Sequence, residues 1–418
     1  MPDPRERDLG WLAAIVLVSL NLRAVITSVP PLAVDLRADL HLGAVATGAL
    51  TTVPVACMGL FAPVAAAATR WLRESTVLSA GVALIVVGAG ARGFGGVVGL
   101  FLATALAGVG IAVVGTLLPG LVRARSPHRV GPVTGIYTAA LIGGALIASS
   151  LAEPVRAWLG VATQRSLAFW ALPAAVALGI WLVVARRLNA SRAADPTGPV
   201  GRAVVANSHR LPWRDSSAWL GTGFMAVQSL LFYGTLAWLP VSTMDHGMSA
   251  RNAGLLLGLF TLTQVVTAFV VPALAHRTGD TRAWVAVTLC TTTVSLLLVA
   301  LIPYAFPGAP WLWGALLGLG MGGHFALALA TITQLAPSAA QAPAYSGMAF
   351  LFGYGVAAVG PVLLGFLAEA SGGYRVPFLT LTGLGVVALA LGVAATGRAR
   401  LARARPAPDA DRGIPVAG

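Results

Sequence analysis

Charge is what this sequence has least of. Only 10% of its 418 residues are charged, against about 25% in a soluble domain. Lysine is absent, so all 27 basic residues are arginine, and acids number just 14. No Asp or Glu sits deep in any apolar run. The two cysteines, Cys57 and Cys290, both fall inside apolar segments. That excludes a disulfide framework and a thiolate metal centre, and no metal or cofactor is expected. HExxH and CxxC motifs are missing, and so is any phosphate-cradling loop. Catalysis needs an acid–base pair, a metal or an activated nucleophile, so an enzyme is not expected. No soluble signalling domain is present to support a receptor. The net charge of +13 invites a nucleic-acid reading. Placement argues against nucleic acid as a partner, because the arginines lie in short loops and at the ends.

What the sequence has is long apolar runs: 57% of residues are hydrophobic. A bilayer-crossing helix needs about 20 apolar residues at 1.5 Å each. Such segments recur at 9–34, 44–69, 76–91, 97–122, 130–152 and 167–185, then at 217–241, 250–275, 283–303, 311–335, 345–368 and 376–396. The start, MPDPRERD, mixes both signs, and the run after it exceeds a signal-peptide core. The first segment is therefore expected to stay as a span. The expected fold is an all-α membrane protein with twelve transmembrane helices. Residues 1–8 form a cytoplasmic N-terminus, 9–185 and 217–396 two six-helix bundles, 186–216 a polar cytoplasmic linker, and 397–418 a disordered cytoplasmic tail. An even span count puts both ends on one side. The opposite loops hold six arginines, Arg37, Arg92, Arg156, Arg165, Arg251 and Arg375, Arg23 lies within a span, and the other 20 share the side of the termini. This is the positive-inside pattern, and it makes the termini cytoplasmic.

The two sets of six segments resemble each other. The first and seventh are followed by LHLGAVATGAL and HGMSARNAGLL, with Gly48 and Gly254 opening the next helix. The second and eighth end near Arg70 and Arg277. The fourth and tenth carry GVG and GLG, and the fifth and eleventh end on Glu153 and Glu369. The matches fall in one order in both halves, as in repeat-built secondary transporters. Glycine and proline are densest in FGYGVAAVGPVLLG, residues 352–365. Tight packing explains most such glycines, and gating is the alternative for Gly353, Gly360 and Pro361.

Arg23 is the one charge at depth, roughly 20 Å along the first segment. An arginine there costs about 2.5–3.5 kcal/mol, so it needs a cavity, a partner or a ligand. It reads as a fixed positive charge for an anionic or electron-rich solute; a packing arginine on helix-end carbonyls is the alternative. A site at the repeat interface would draw on the few polar residues at mid-depth. Gln228 is central in the seventh segment, the mate of the first, so its depth should match that of Arg23. Phe232 and Thr235 follow on the same helical face, and Tyr233 is one position round. Trp238 lies further out and reads as a membrane-interface anchor. Gln264 is central in the eighth segment, with an interhelical hydrogen bond as its packing alternative. His324, in GMGGHFAL, is the other ionisable midplane group, a candidate substrate contact and proton carrier, with a satisfied packing histidine as the alternative. Asn21 points about 200° away from Arg23 and is expected to bond a neighbouring helix. Tyr137 and Tyr354 are secondary candidates.

NLRAVITSVPPL in the first segment, QSLLFYGTLAWLP in the seventh and GYGVAAVGPVLLG in the eleventh resemble the cyanate/2-nitroimidazole transporter family. That family belongs to the major facilitator superfamily, and the similarity runs from Leu9 to Thr396. The resemblance implies a two-bundle carrier in the bacterial inner membrane that moves a small solute by alternating access. A small anion or nitro/carboxylate compound, such as cyanate or a nitroimidazole, and a monomeric state are expected. Two patterns of the superfamily are altered. The acidic position of the loop after the second span is lost in AAATRWLRES, and GIYTAALIGGAL lacks the antiporter Gly-Pro pair. The coupling ion stays open, as does a drug exporter with an apolar pocket in which Arg23 serves structure.

Overall fold

Lipid offers no hydrogen bonds to a polypeptide, so each apolar run must satisfy its backbone internally and folds as a helix. The computed structural model describes residues 4–126, 129–194, 211–338 and 341–404. The first half holds α1 (Pro4–Thr27), α2 (Ala33–Leu40), α3 (Ala44–Ala68), α4 (Glu74–Ala91), α5 (Gly96–Arg125), α6 (Val130–Leu159), α7 (Thr163–Ser166) and α8 (Ala171–Ala194). The second half holds α9 (Ser216–Asp245), α10 (Ala250–Thr278), α11 (Thr281–Leu301), α12 (Ala309–Leu335), α13 (Ala342–Ser371) and α14 (Arg375–Ala404). Among the described residues, twelve spans are long and apolar enough to cross a membrane, one at each apolar segment of the sequence.

Three boundaries differ from the expectation. The first segment is not one helix: α1 stops at Thr27, a 3-10 turn covers Pro30–Leu32, and α2 continues to Leu40. Pro30 and Pro31 in succession have no N–H to donate to the preceding turn, and the α-helix gives way there to a 3-10 turn. The expected tail from 397 begins as helix instead, because α14 runs to Ala404; residues 405–418 lie outside the described residues. The expected linker 186–216 likewise starts as helix through Ala194, and 195–210 lie outside the described residues.

Within the first half, α3 and α4 pack on α5, and α1 on α6; within the second, α9 packs on α13, α10 on α12, and α11 on α14. The halves meet mainly along two pairs, α3 with α13 and α6 with α10. At Gly48 the α3 backbone lies directly on the Pro361 carbonyl of α13, a contact that leaves no room for a side chain. The span of α9 is 94% buried, against 28% for that of α8, so α9 is interior and α8 faces outward.

We call the end that bears α2 and the α13–α14 turn the outer end, the side assigned to the arginine-poor loops. There the halves are closed. Arg37 on α2 pairs with Asp245 at 4.0 Å, Asp245 also accepts the Tyr374 hydroxyl, and Val45 N donates to Glu369 at 3.1 Å. Burial and the Asp245 hydrogen bond push the Tyr374 hydroxyl above its ordinary range.

Candidate substrate site

The site begins where α1 ends. Thr27 donates to the Ala145 carbonyl of α6 at 3.2 Å, and Asn21 donates to the Pro173 carbonyl of α8 at 3.3 Å. Asn21 thus bonds a neighbouring helix, as its helical position suggests. These bonds turn the remaining face of α1, and Arg23 with it, toward the second half. The Arg23 guanidinium carbon lies 4.8 Å from the centre of the Phe232 ring on α9. Among the described residues no carboxylate pairs with it. A cation over an aromatic face is attracted by the ring quadrupole, by about 0.5–2 kcal/mol depending on how dry the site is. The charge is thereby held without being neutralised.

Aromatic rings continue from this point. Phe232 and Tyr233 lie 4.9 Å apart, and Phe260 of α10 stacks on Phe232 at 6.0 Å. Tyr354 of α13 meets Tyr233 edge-on at 6.3 Å and stacks on Phe350 at 5.6 Å. The Tyr233 hydroxyl reaches the Met58 sulfur of α3 at 3.9 Å, another contact across the halves. Arg23 is part-exposed, whereas Phe232 and Tyr233 are buried. The arrangement is one permanent cation rimmed by π-faces and a phenol. It suits a flat, small, anionic or electron-rich molecule.

The structure brings Phe232 and Tyr233 to Arg23, and Tyr354 with them. Gln228 is instead turned onto its own helix, donating to Met225 O at 3.2 Å and Ser229 Oγ at 2.7 Å. Its Oε1 and the Thr235 hydroxyl are buried without a protein partner. Gln264 is buried on α10 at the point where Gly322 of α12 lies against its carbonyl. His324 is fully buried on α12, two residues beyond Gly322, and neither ring nitrogen has a protein partner. Tyr137, on α6, is part-buried against the main hydrophobic core.

Trp238 is not an interface anchor: it is 1% exposed and donates to the Pro361 carbonyl at 2.8 Å. The sequence gives it an outer position on α9, but α9 has no lipid face to anchor. A Cβ on Gly353 or Gly360 would stand 3.1 Å from Met225 or 3.0 Å from Leu230, so both glycines seat α13 on α9.

The sequence pattern did not point to Met58, Phe260, Phe350 or Arg92. Arg92 lies just beyond α4, yet it is 0% exposed and donates to the Val25 carbonyl at 2.8 Å. A cation there faces the negative end of α1. Burial lowers its pKa to about 10, which still leaves it charged at neutral pH. One signal for the Arg23 pairing was available: Arg23 stands eight residues before Pro31, and Phe232 eight before Pro240. A cavity of about 440 Å³ opens elsewhere, at the outer end of α9, α12 and α14, and none of the sequence candidates lines it.

The sequence profile of the Major Facilitator Superfamily matches residues 12–345 and 243–417. The chain is 32% identical over 406 residues to the uncharacterized transporter YycB of Bacillus subtilis (strain 168), covering 96% of each. It is 32% identical to the 2-nitroimidazole transporter of Escherichia coli (strain K12), covering 91% of this chain and 93% of that one. The cyanate transport protein CynX of the same organism is also 32% identical, over 90% and 96%. In fold it is similar to a bacterial homolog of the human lysosomal transporter Spinster, with a TM-score of 0.77 at 15% identity, over 97% of this chain and 100% of that one. With this fold and these relatives, the chain belongs to the cyanate/2-nitroimidazole transporter family of the major facilitator superfamily and is a multi-pass membrane transporter of a small solute.

Proposed function

We propose that the solute is a small anion or a flat nitro or carboxylate compound, bound between the halves with its electron-rich end on Arg23. The observation that carries this reading is the Arg23–Phe232 contact at 4.8 Å across the two halves. A charge shared between bundles can be reached from either side as the bundles rock, which is what alternating access requires. Phe232, Tyr233 and Tyr354 supply ring faces; Gln228, Thr235 and Gln264 supply polar contacts once the halves rearrange. Gly353, Gly360 and Pro361 form the surface over which α13 moves on α9 and α3. The relatives named for cyanate and 2-nitroimidazole fit this chemistry. The protein acts as a monomer in the bacterial inner membrane, with both termini cytoplasmic as the arginine asymmetry indicates.

Where the cycle carries a proton, it passes through His324. Arg23 cannot serve, since a guanidinium stays protonated, and the acids of the long helices, Glu153 and Glu369 among them, lie toward helix ends. In proteoliposomes with a pH gradient and no solute gradient, wild type should accumulate solute and His324→Gln should not. Equal accumulation by both removes His324 from the role.

The substrate class is tested by thermal stabilisation of purified protein with cyanate, 2-nitroimidazole and imidazole, which lacks the nitro group. Stabilisation by either of the first two, lost in Arg23→Gln, is expected. Stabilisation only by bulky apolar drugs, unchanged in Arg23→Gln, would contradict the reading in favour of an exporter.

A further inference from the structure

Glu153 and Glu369 hold corresponding places near the outer ends of α6 and α13, yet their carboxylates do different things. Glu153 pairs with Arg156 on its own helix at 2.6 Å. Glu369 crosses to the other half and accepts the Val45 amide at the start of α3, at 3.1 Å. The two helices that α6 and α13 pack on across the halves also differ. The N-terminus of α10 is capped from its own sequence, because Ser249 accepts from Asn252 N. The N-terminus of α3 begins at Gly43, which has no side chain to offer. A Cβ on Gly43 would stand 2.7 Å from the Glu369 carboxylate oxygen. A helix start carries unsatisfied N–H groups and partial positive charge, and a carboxylate satisfies both. One turn below, Gly365 of α13 lies against the Ala44 carbonyl, so the backbones already touch there.

We propose that Glu369 is an interbundle latch: a carboxylate of the second half caps α3 of the first and holds the outer mouth closed. This rests on the alternating-access reading, since opening outward must pull α13 from α3 and uncap the helix. Gly43 is the matching half of the device. It leaves the cap position empty, so that only the other bundle fills it.

The test reads the outer distance directly, with no solute. In a full chain carrying Cys57→Ala and Cys290→Ala, spin labels are placed at Ala38→Cys and Ala305→Cys, one in each half and away from the latch. Glu369→Gln should raise the ratio of open to closed outer distances about five-fold. Gly43→Ser gives α3 its own cap and displaces the carboxylate, so it should shift the ratio the same way while α3 stays capped. Ser249→Ala removes a cap used within one helix; it should lower the melting temperature and leave the ratio unchanged. A Gly48→Trp wedge between α3 and α13 opens the outer mouth whether or not Glu369 acts. If the wedge opens it and both latch variants match wild type, the latch is wrong. If Ser249→Ala shifts the ratio as much as Glu369→Gln, the effect is general loosening and the latch is again wrong. If the wedge fails as well, alternating access itself is contradicted, and the latch with it.

Discussion

The helices α1 and α9 open corresponding halves, but they solve different problems. The first is interrupted: two prolines end it at Thr27, and its last turns carry the charge together with Asn21 and Thr27, which bond the α8 and α6 backbones. The second runs from Ser216 to Asp245 without a break, although Pro240 lies inside it. It is buried on nearly every side and presents rings rather than charge. The difference teaches how a membrane protein keeps a bare cation. The charge sits near a helix end, where backbone and side chains can hold its surroundings still. The opposing wall is a continuous helix that offers π-faces and no counter-ion. A carboxylate on α9 would pair with Arg23 and neutralise it.

The comparison can be broken at the wall, at the broken helix and at the ends. Phe232→Ala removes the wall and leaves a cavity beside Phe260; a loss of about 3–5 kcal/mol is expected, read as a large fall in melting temperature. Phe232→Leu should keep most of the stability and lose the ring over Arg23. Arg92→Gln tests what steadies the end of α1. It removes a fully buried cation from the Val25 carbonyl, and about 1–3 kcal/mol should be lost, since a charged hydrogen bond is given up. Asp215→Ala tests the start of α9, where the carboxylate accepts Ser217 N at 2.7 Å and the Tyr345 hydroxyl. About 1 kcal/mol is expected from the lost cap. Burial draws the Asp215 pKa up, but the bonds from Tyr345, Ser217 and Ala218 outweigh it and hold the carboxyl below its ordinary range. That contribution is therefore present at neutral pH and above, and is lost as pH falls below the ordinary carboxylate range and through the lower folded value. Wild type and Asp215→Ala should differ in melting temperature at pH 7 and converge in acid. The smallest effect belongs to Arg37→Gln at the outer end. Its pair with Asp245 is long and part-exposed, so at most about 1 kcal/mol is expected.

Span number and the duplication were legible because lipid imposes one rule on every segment: about 20 apolar residues, helical, with arginines kept to one side. Arg23 stood out for the same reason, as the exception to that rule. What depended on the register between helices was harder to see. Gln228 was read at the depth of Arg23, but matching the prolines rather than the segment midpoints places Phe232 there. Arg92 read as an ordinary loop arginine, since nothing local shows that its side chain folds under α1. The Glu369–Val45 bond joins residues 324 apart in sequence, and only the packed halves reveal it. Trp238 looked like an anchor because outer aromatic residues usually face the interface; the burial of α9 overrode that preference.

The account stands or falls on Arg23 as the solute's anchor. Its most direct test is the dissociation constant of the solute found by thermal stabilisation, measured calorimetrically for wild type, Arg23→Lys and Arg23→Gln. Arg23→Lys keeps the charge and loses the planar fork, so affinity should fall modestly. Arg23→Gln should bind about 10–100-fold more weakly, the range for losing a charged hydrogen bond, while the protein still inserts and folds. Equal affinity in Arg23→Gln and wild type would contradict the anchor and return Arg23 to a packing role.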